Sequence, residues 1–544
     1  MTPSRPQPHQ WRRTLDRSHA GSTWARTSRG IFHLSSICFR RMSPAAPPFV
    51  SGAAAKRRRH RPTRSEAMHT HLIWLIGYSI AQLALGAWIS RRVKTSSDFF
   101  VAGRALGPGL LFSTMLAANI GAGSTVGATG LGYRDGFSAI WWVLSAGIGS
   151  LLLAFWIGPA IRRVAAEHDL RTVGDYLELR YGVTVRTLIS GLLWVGSVFI
   201  LAGQLIAVSW ILNVIAGVPK TLGCILAGVL ITVYFASGGL LTSAYVNVVQ
   251  LIVKLVGFAI AIPFALSASG GWDALRAFTP TETYWNPWQG GESGLVYLAM
   301  LGPAFVVSPG LLQKVYGARD DRTVRIGVGF NALALILYAA VPVLLGMMAR
   351  VQFPDLPQSE LALPTLLVQG VPAAVGALGL AAVFSAELSA ADAVLFILTT
   401  SLSQDFYKRF RNPGASDAQL LRVTRFTAVI AGAAGVGIAL VAAGVVSALS
   451  IFYTIMGVSL FVPILAGLYS TRTRSADALA AIIAGIAVVG GWRLLLDGKP
   501  INGITAPMGG LIAAIVAFLV VHLVGRARGG DINSGGRPPH TERN

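Results

Sequence analysis

Long apolar runs separated by short polar stretches, many of them basic, set the pattern of this chain. Read as membrane spans of roughly 17–25 residues, thirteen runs stand out: about 72–90, 109–131, 138–161, 187–214, 221–238, 244–268, 293–309, 326–349, 376–404, 426–443, 446–469, 476–492 and 506–524. Two of them are interrupted near the middle. In the second, Ala117-Ala118-Asn119-Ile120-Gly121-Ala122-Gly123-Ser124-Thr125-Val126-Gly127 holds three glycines, each lowering helix stability by about 1 kcal/mol relative to alanine. In the seventh, Pro303 and then Ser308-Pro309-Gly310 interrupt the run. Irregular chain at membrane depth is tolerated only where it faces protein or a water-filled cavity.

Composition fits the pattern. The 544 residues are 53% hydrophobic and only 12% charged, whereas a soluble domain carries about 25% charged residues. The two cysteines, Cys38 and Cys224, support neither a disulfide framework nor a metal cluster. The net charge of +22 would fit a nucleic-acid partner, but the positions of the charges argue against one. Fourteen Lys and Arg precede Met68, 24 lie in loops of one parity plus the tail, and six lie in the opposite loops. The rich segments are 91–108, 162–186, 310–325, 405–425, 470–475 and everything after 524. Basic loops face the cytoplasm, which puts the C-terminus inside and, with an odd number of spans, the start of the first span outside.

Residues 1–67 conflict with that orientation, because they carry 14 basic and two acidic residues, including Lys56-Arg57-Arg58-Arg59-His60-Arg61. They hold no apolar stretch of signal-peptide length, and we read them as disordered or not natively translated, with Met68 as the start. Residues 68–524 form the membrane domain, and 525–544 a disordered cytoplasmic tail. Asp169 to Arg180 reads as a cytoplasmic surface helix. In the outer loop 269–292, Trp272, Trp285 and Trp288 read as interfacial anchors.

Paired breaks in corresponding spans of two halves point to the central binding site of a secondary transporter. Phe99-Phe100-Val101-Ala102-Gly103-Arg104, the 117–127 run, Thr172-Val173-Gly174-Asp175-Tyr176-Leu177 with Arg180-Tyr181-Gly182, and Gln404-Asp405-Phe406-Tyr407-Lys408 occur in that order. Together they resemble the sodium:solute symporter family, whose members include bacterial proline and galactose symporters and sodium–glucose cotransporters. The resemblance implies an all-α membrane protein with a leucine-transporter-like core. In it, two inverted repeats of five helices occupy about 109–268 and 293–469, and the first and sixth core helices are broken.

By the same resemblance, sodium takes the carbonyls of Ala117, Ile120 and Ala386 and the hydroxyl of Ser389. Solute is lined by Gly121, Ala122, Gly123, Ser124, Ala304, Phe305 and Ser308, with Gln204 a further polar candidate. Ala386 and Ser389 share a helical face by their spacing. Two departures stand out: Ala390 occupies a position where the family carries a second hydroxyl, and Asn247 one where it often carries an aspartate.

Lys254 lies mid-span, seven residues after Asn247 and so on nearly the same face, with Gln250 close to that stripe. A charge at mid-membrane costs about 2.5–3.5 kcal/mol, so such groups face the bundle interior. Lys254 pairs with Glu387 or Asp392, or its ammonium occupies or neighbours the cation position, or it snorkels to a wet cavity. The expected activity is sodium-coupled uptake of a small polar organic solute across the plasma (bacterial inner) membrane. The alternatives are a proton-coupled or cation-independent carrier using Lys254, and a membrane receptor without transport. No enzymatic nucleophile–base pair, cofactor or obligatory protein partner is expected; the partners are the solute and the lipid bilayer.

Overall fold

In the computed structural model the described residues are 64–90, 104–236, 240–291 and 294–527. The readings for 1–63 and 528–544 and the Phe99–Gly103 part of the first motif lie outside them. All described residues belong to one compact unit, Arg61–Asn544, and among them the regular secondary structure is helical apart from two isolated backbone bridges.

The first half runs α1 (Arg64–Ser90), α2 (Pro108–Asn119), α3 (Ala128–Asp135), α4 (Ile140–Leu152), α5 (Gly158–Glu167), α6 (Val173–Tyr181), α7 (Val183–Ala216), α8 (Lys220–Ala236), α9 (Leu240–Ala268) and α10 (Gly271–Ala277). The second runs α11 (Gly294–Val307), α12 (Pro309–Tyr316), α13 (Asp321–Tyr338), α14 (Ala340–Gln352), α15 (Ala362–Gln369) and α16 (Ala373–Thr400). It closes with α17 (Asp417–Val441), α18 (Val445–Tyr469), α19 (Ser475–Leu496) and α20 (Ala506–Ala527). Among the described residues ten continuous helical stretches are long and apolar enough to cross a membrane, and His71–Gly86 and Lys220–Phe235 are shorter apolar helices. The protein is therefore an all-helical, multi-pass membrane protein.

The central helices α2, α9 and α16 pack against one another, and α7 lies against α16 and α18. Their shared surfaces are almost fully buried, whereas α19 and α20 expose most of their apolar surface. Large side chains such as Leu494, Leu519 and Leu523 point outward, which is the expected arrangement where lipid is the solvent.

Several segments differ from the sequence reading. The helix read as 169–180 begins at Val173, where Thr172 Oγ1 accepts the Asp175 N–H and the Asp175 carboxylate accepts the Thr172 N–H. It is docked rather than floating, because Tyr176, Leu177 and Tyr181 are buried. The stretch read as the loop 310–325 opens with a helix. Pro309 occupies its first turn, where a missing N–H costs nothing, and α12 runs to Tyr316. At the far end of α16, a π-helical segment carries the chain from Ser401 to Arg411, past the predicted end of that span.

The outer loop 269–292 packs down on the bundle. The Tyr284 hydroxyl donates to the Gly132 carbonyl at 3.1 Å and Trp141 Nε1 donates to the Pro287 carbonyl at 2.9 Å. Trp285 stacks on Phe137, so it serves as a packing residue, while Trp272 and Trp288 are exposed.

Candidate solute and cation site

The break in the second span arises from two diverted backbone donors. The Gly121 N–H, which would continue the helix to the Ala117 carbonyl, donates instead to Ser124 Oγ at 3.1 Å. The Ser124 N–H, which would reach the Ile120 carbonyl, donates to the Gly121 carbonyl at 3.0 Å. Ile120 itself is extended, with φ −91° and ψ 90°. Ala117 and Ile120 are thus left with carbonyl lone pairs at the end of a helix, where such groups need outside partners. A π-helical turn, Gly123–Gly127, then leads into α3.

Two contacts hold the irregular stretch in place. Gln204 Oε1 on α7 accepts the Ala122 N–H at 2.9 Å, and Thr125 Oγ1 donates to Glu387 Oε1 on α16 at 2.7 Å. The second break lies between α11 and α12, where the Ser308 carbonyl accepts the Leu311 and Leu312 N–H groups at 3.0 and 2.9 Å.

A cavity opens between the two breaks. Gly121, Gly123, Ser124, Phe305, Ser308 and Gln204 line it, as the sequence reading expects. Ala122 and Ala304 do not: both are fully buried and turned into the packing. Reading a run of adjacent residues as lining ignores that successive helical side chains point some 100° apart.

The sequence reading missed several lining residues, among them Asn119, Trp142, Phe452, Tyr453 and Lys314. Asn119 Nδ2 donates to Asn331 Oδ1 at 3.0 Å. Lys314, on α12, is buried, and among the described residues its Nζ has no hydrogen-bond partner. The sequence did carry a signal for it: Pro309 followed by the apolar pair Leu311-Leu312.

The residues assigned to the cation converge. Ser389 Oγ lies 2.7 Å from the Ala117 carbonyl and 3.0 Å from the Ala386 carbonyl, and its one hydrogen serves either. Into the same cluster reaches Lys254 from α9. Its Nζ donates to the Ala117 carbonyl at 2.8 Å, the Ile120 carbonyl at 3.2 Å and Ser389 Oγ at 2.6 Å.

The expected pairing of Lys254 with Glu387 or Asp392 is therefore corrected. Among the described residues neither carboxylate forms an ion pair with it, and three neutral oxygens take its three protons. Glu387 is turned toward Thr125, while Asp392 lies within electrostatic reach of Lys314 and Tyr234. Asn247 Nδ2 donates to Thr114 Oγ1 at 3.0 Å, and Gln250 Nε2 to Gln82 Oε1 at 3.3 Å. Both tie α9 to its neighbours.

Comparison with known proteins gives the context. The profile of the sodium:solute symporter family matches residues 99–485. The sodium/pantothenate symporter of Escherichia coli is 26% identical over 439 residues, covering 76% of this chain and 88% of that protein. The human high affinity choline transporter 1 is 25% identical over 445 residues, covering 76% of this chain and 75% of the relative. The solved structure of a sodium-coupled sialic acid symporter, substrate-bound and outward-open, superposes with a TM-score of 0.72 at 18% identity, covering 84% of this chain and 98% of that one. The chain belongs to the sodium:solute symporter family, whose members are sodium-coupled secondary active transporters of small solutes, and it is a transporter, not an enzyme.

Proposed function

We propose that the chain takes up a small polar organic solute by alternating access, binding it in the cavity between the Ile120–Ala122 and Ser308 breaks. The observation that carries this reading is the cavity itself. Glycine backbone from one broken span, Ser308 and Phe305 from the other, and Gln204 from a third helix meet around one space. Broken helices expose backbone donors and acceptors at mid-membrane, and with Lys314 the one charged side chain among the described lining residues, such a lining suits a neutral or singly charged molecule.

The matching architecture is thirteen spans, with a five-plus-five inverted core at about 109–268 and 293–469. Each of the thirteen apolar runs lies on helix in the described residues, and the fold likeness to the sialic acid symporter supports the core. The basic-loop bias supports a plasma-membrane orientation with the 405–425 loop inside. A cysteine at Ala415, in a chain with Cys38 and Cys224 replaced, is then protected from an impermeant maleimide in intact cells; labelling there would reverse the topology.

Sodium coupling is the family's habit, and the competing proton-coupled or cation-independent mode is favoured by the position of the Lys254 ammonium. The test of the transport reading is uptake into proteoliposomes of a panel of labelled amino acids, monocarboxylates, sugars and quaternary amines. Accumulation of one of them supports it. A compound that binds the purified protein yet is never carried points to the receptor alternative.

A further inference from the structure

We propose that Lys254 supplies a resident cation at the position formed by Ala117, Ile120, Ala386 and Ser389, so that sodium does not bind there in this member of the family. The inference rests on the transport reading for its consequence, but its geometry stands independently of it.

A lysine ammonium carries three protons and needs three acceptors when buried. Here it finds them in two carbonyls and a hydroxyl, at 2.8, 3.2 and 2.6 Å. These oxygens belong to the ends and faces that a bound ion would bridge: the broken end of α2 and the mid-face of α16. The nitrogen stands where the ion would stand, and the two cannot share the position.

The rest of the cluster agrees. Ala390 brings no second hydroxyl, and Glu387 gives Oε1 to Thr125 at 2.7 Å, while its Oε2 has no hydrogen-bond partner among the described residues. The charged groups nearest in the field are Glu387 on α16 and Lys314 on α12. From α9 itself, Asn247 and Gln250 turn to Thr114 and Gln82.

The consequence is mechanical as well as electrostatic. A bound ion braces the two helices only while the gradient keeps the site filled. A tethered ammonium braces them at any sodium concentration and cannot leave with the solute. At this position, solute movement and sodium movement are uncoupled.

The test uses the full purified chain and sodium alone as the probe, so that it does not depend on knowing the solute. Equilibrium binding of radioactive sodium is measured on wild type, Ser389→Ala, Lys254→Ala and Lys254→Ala/Ser389→Ala. In the wild type, sodium binding is unchanged by Ser389→Ala. Lys254→Ala opens the position and gains saturable binding, displaced by unlabelled sodium but not by potassium. That binding weakens about tenfold or more when Ser389 is also removed.

Wild-type binding that Ser389→Ala reduces overturns the proposal. So does a monodisperse, helical Lys254→Ala protein that gains no sodium binding. Should Lys254→Ala fail to fold, the comparison of wild type with Ser389→Ala still decides. Failure of the transport reading shows separately, as absence of uptake across the solute panel.

Discussion

Gly121 is the point where the broken span comes closest to α16, and a single methyl group there tests the geometry of the whole cluster. A Cβ built on Gly121 collides with Ala390 Cβ and lies 3.0 Å from Gln204 Oε1. Carbon atoms pack at about 3.5–4.0 Å, so Gly121→Ala forces the two backbones apart by about 1 Å. Overpacking of this kind costs about 1–3 kcal/mol. The shift also strains the Gln204–Ala122 hydrogen bond of 2.9 Å, a neutral bond worth about 1 kcal/mol, and weakens the charged Lys254–Ile120 contact of 3.2 Å. The expected loss is about 2–4 kcal/mol.

The counterpart is Ala390→Gly. By itself it costs about 1 kcal/mol of helix propensity, but it removes the atom that Gly121→Ala strikes. The double variant should therefore be more stable than Gly121→Ala alone, although it contains one more unfavourable substitution. Apparent melting temperatures of the purified proteins, followed by tryptophan fluorescence at one scan rate, give the order wild type, double variant, Gly121→Ala. A double variant that melts below Gly121→Ala, as independent sites would require, refutes the proposed contact.

Ser389→Ala leaves the Lys254 ammonium with two of its three acceptors, and bonds to charged groups are worth about 1.5–3 kcal/mol; melting should fall accordingly, with recovery in Ser389→Thr, which keeps the hydroxyl. On the face that the basic loops assign to the cytoplasm, Arg186 is nearly buried and holds Asp175 at 2.9 Å and Glu178 at 2.5 Å, while Arg409 reaches the same Glu178. Removing one partner of such a pair costs about 3 kcal/mol or more, so Arg186→Met should destabilise strongly, and an unchanged melting temperature would remove the network from any account of stability. Glu360, in the turn before α15, accepts Trp210 Nε1 at 2.9 Å and the Val445 N–H at 2.6 Å, yet burial holds its carboxyl above the usual range. A raised folded pKa means stability present below the ordinary glutamate value and lost as pH rises through the shifted one. As pH rises above the ordinary glutamate value of about 4.3, wild type should therefore lose ground to Glu360→Gln, and parallel melting curves would contradict the shift.

The helices were legible because lipid imposes length and composition on every span, and a run of twenty apolar residues needs no tertiary context to be recognised. The breaks were legible for a local reason too: glycine and proline act on their own backbone. Lys254 was conspicuous as a charge inside the 244–268 run, but its partners were not. Its position on α9 shows which face it occupies, not which atoms of α2 or α16 meet that face. Two of the acceptors turned out to be carbonyls, which no side-chain pattern displays. Lys314 was missed for the opposite reason. A basic residue shortly after a proline reads as loop charge, and only the helix restarted at Pro309 turns it into the cavity.

Ala390 and Lys254 look like two unrelated departures when read along the chain, 136 residues apart and on different helices. The structure links them through Gly121. Ala390 is the surface against which the broken end of α2 rests, and added bulk there presses directly on Gly121. The residues flanking that contact, Ala117 and Ile120, carry the carbonyls that Lys254 holds from the other side. A small residue at 390 lets α2 sit close to α16, and a long cationic one at 254 spans from α9 to the oxygens so gathered. On the proposal that Lys254 stands in for sodium, one departure lacks an oxygen ligand and the other supplies a charge, so together they keep the charge balance and the contact between helices with a fixed cation in place of a mobile one. Whatever the ion that drives transport, a chain with the family's helix breaks has here a filled, hydrogen-bonded centre, its two carbonyls and one hydroxyl held by the Lys254 ammonium.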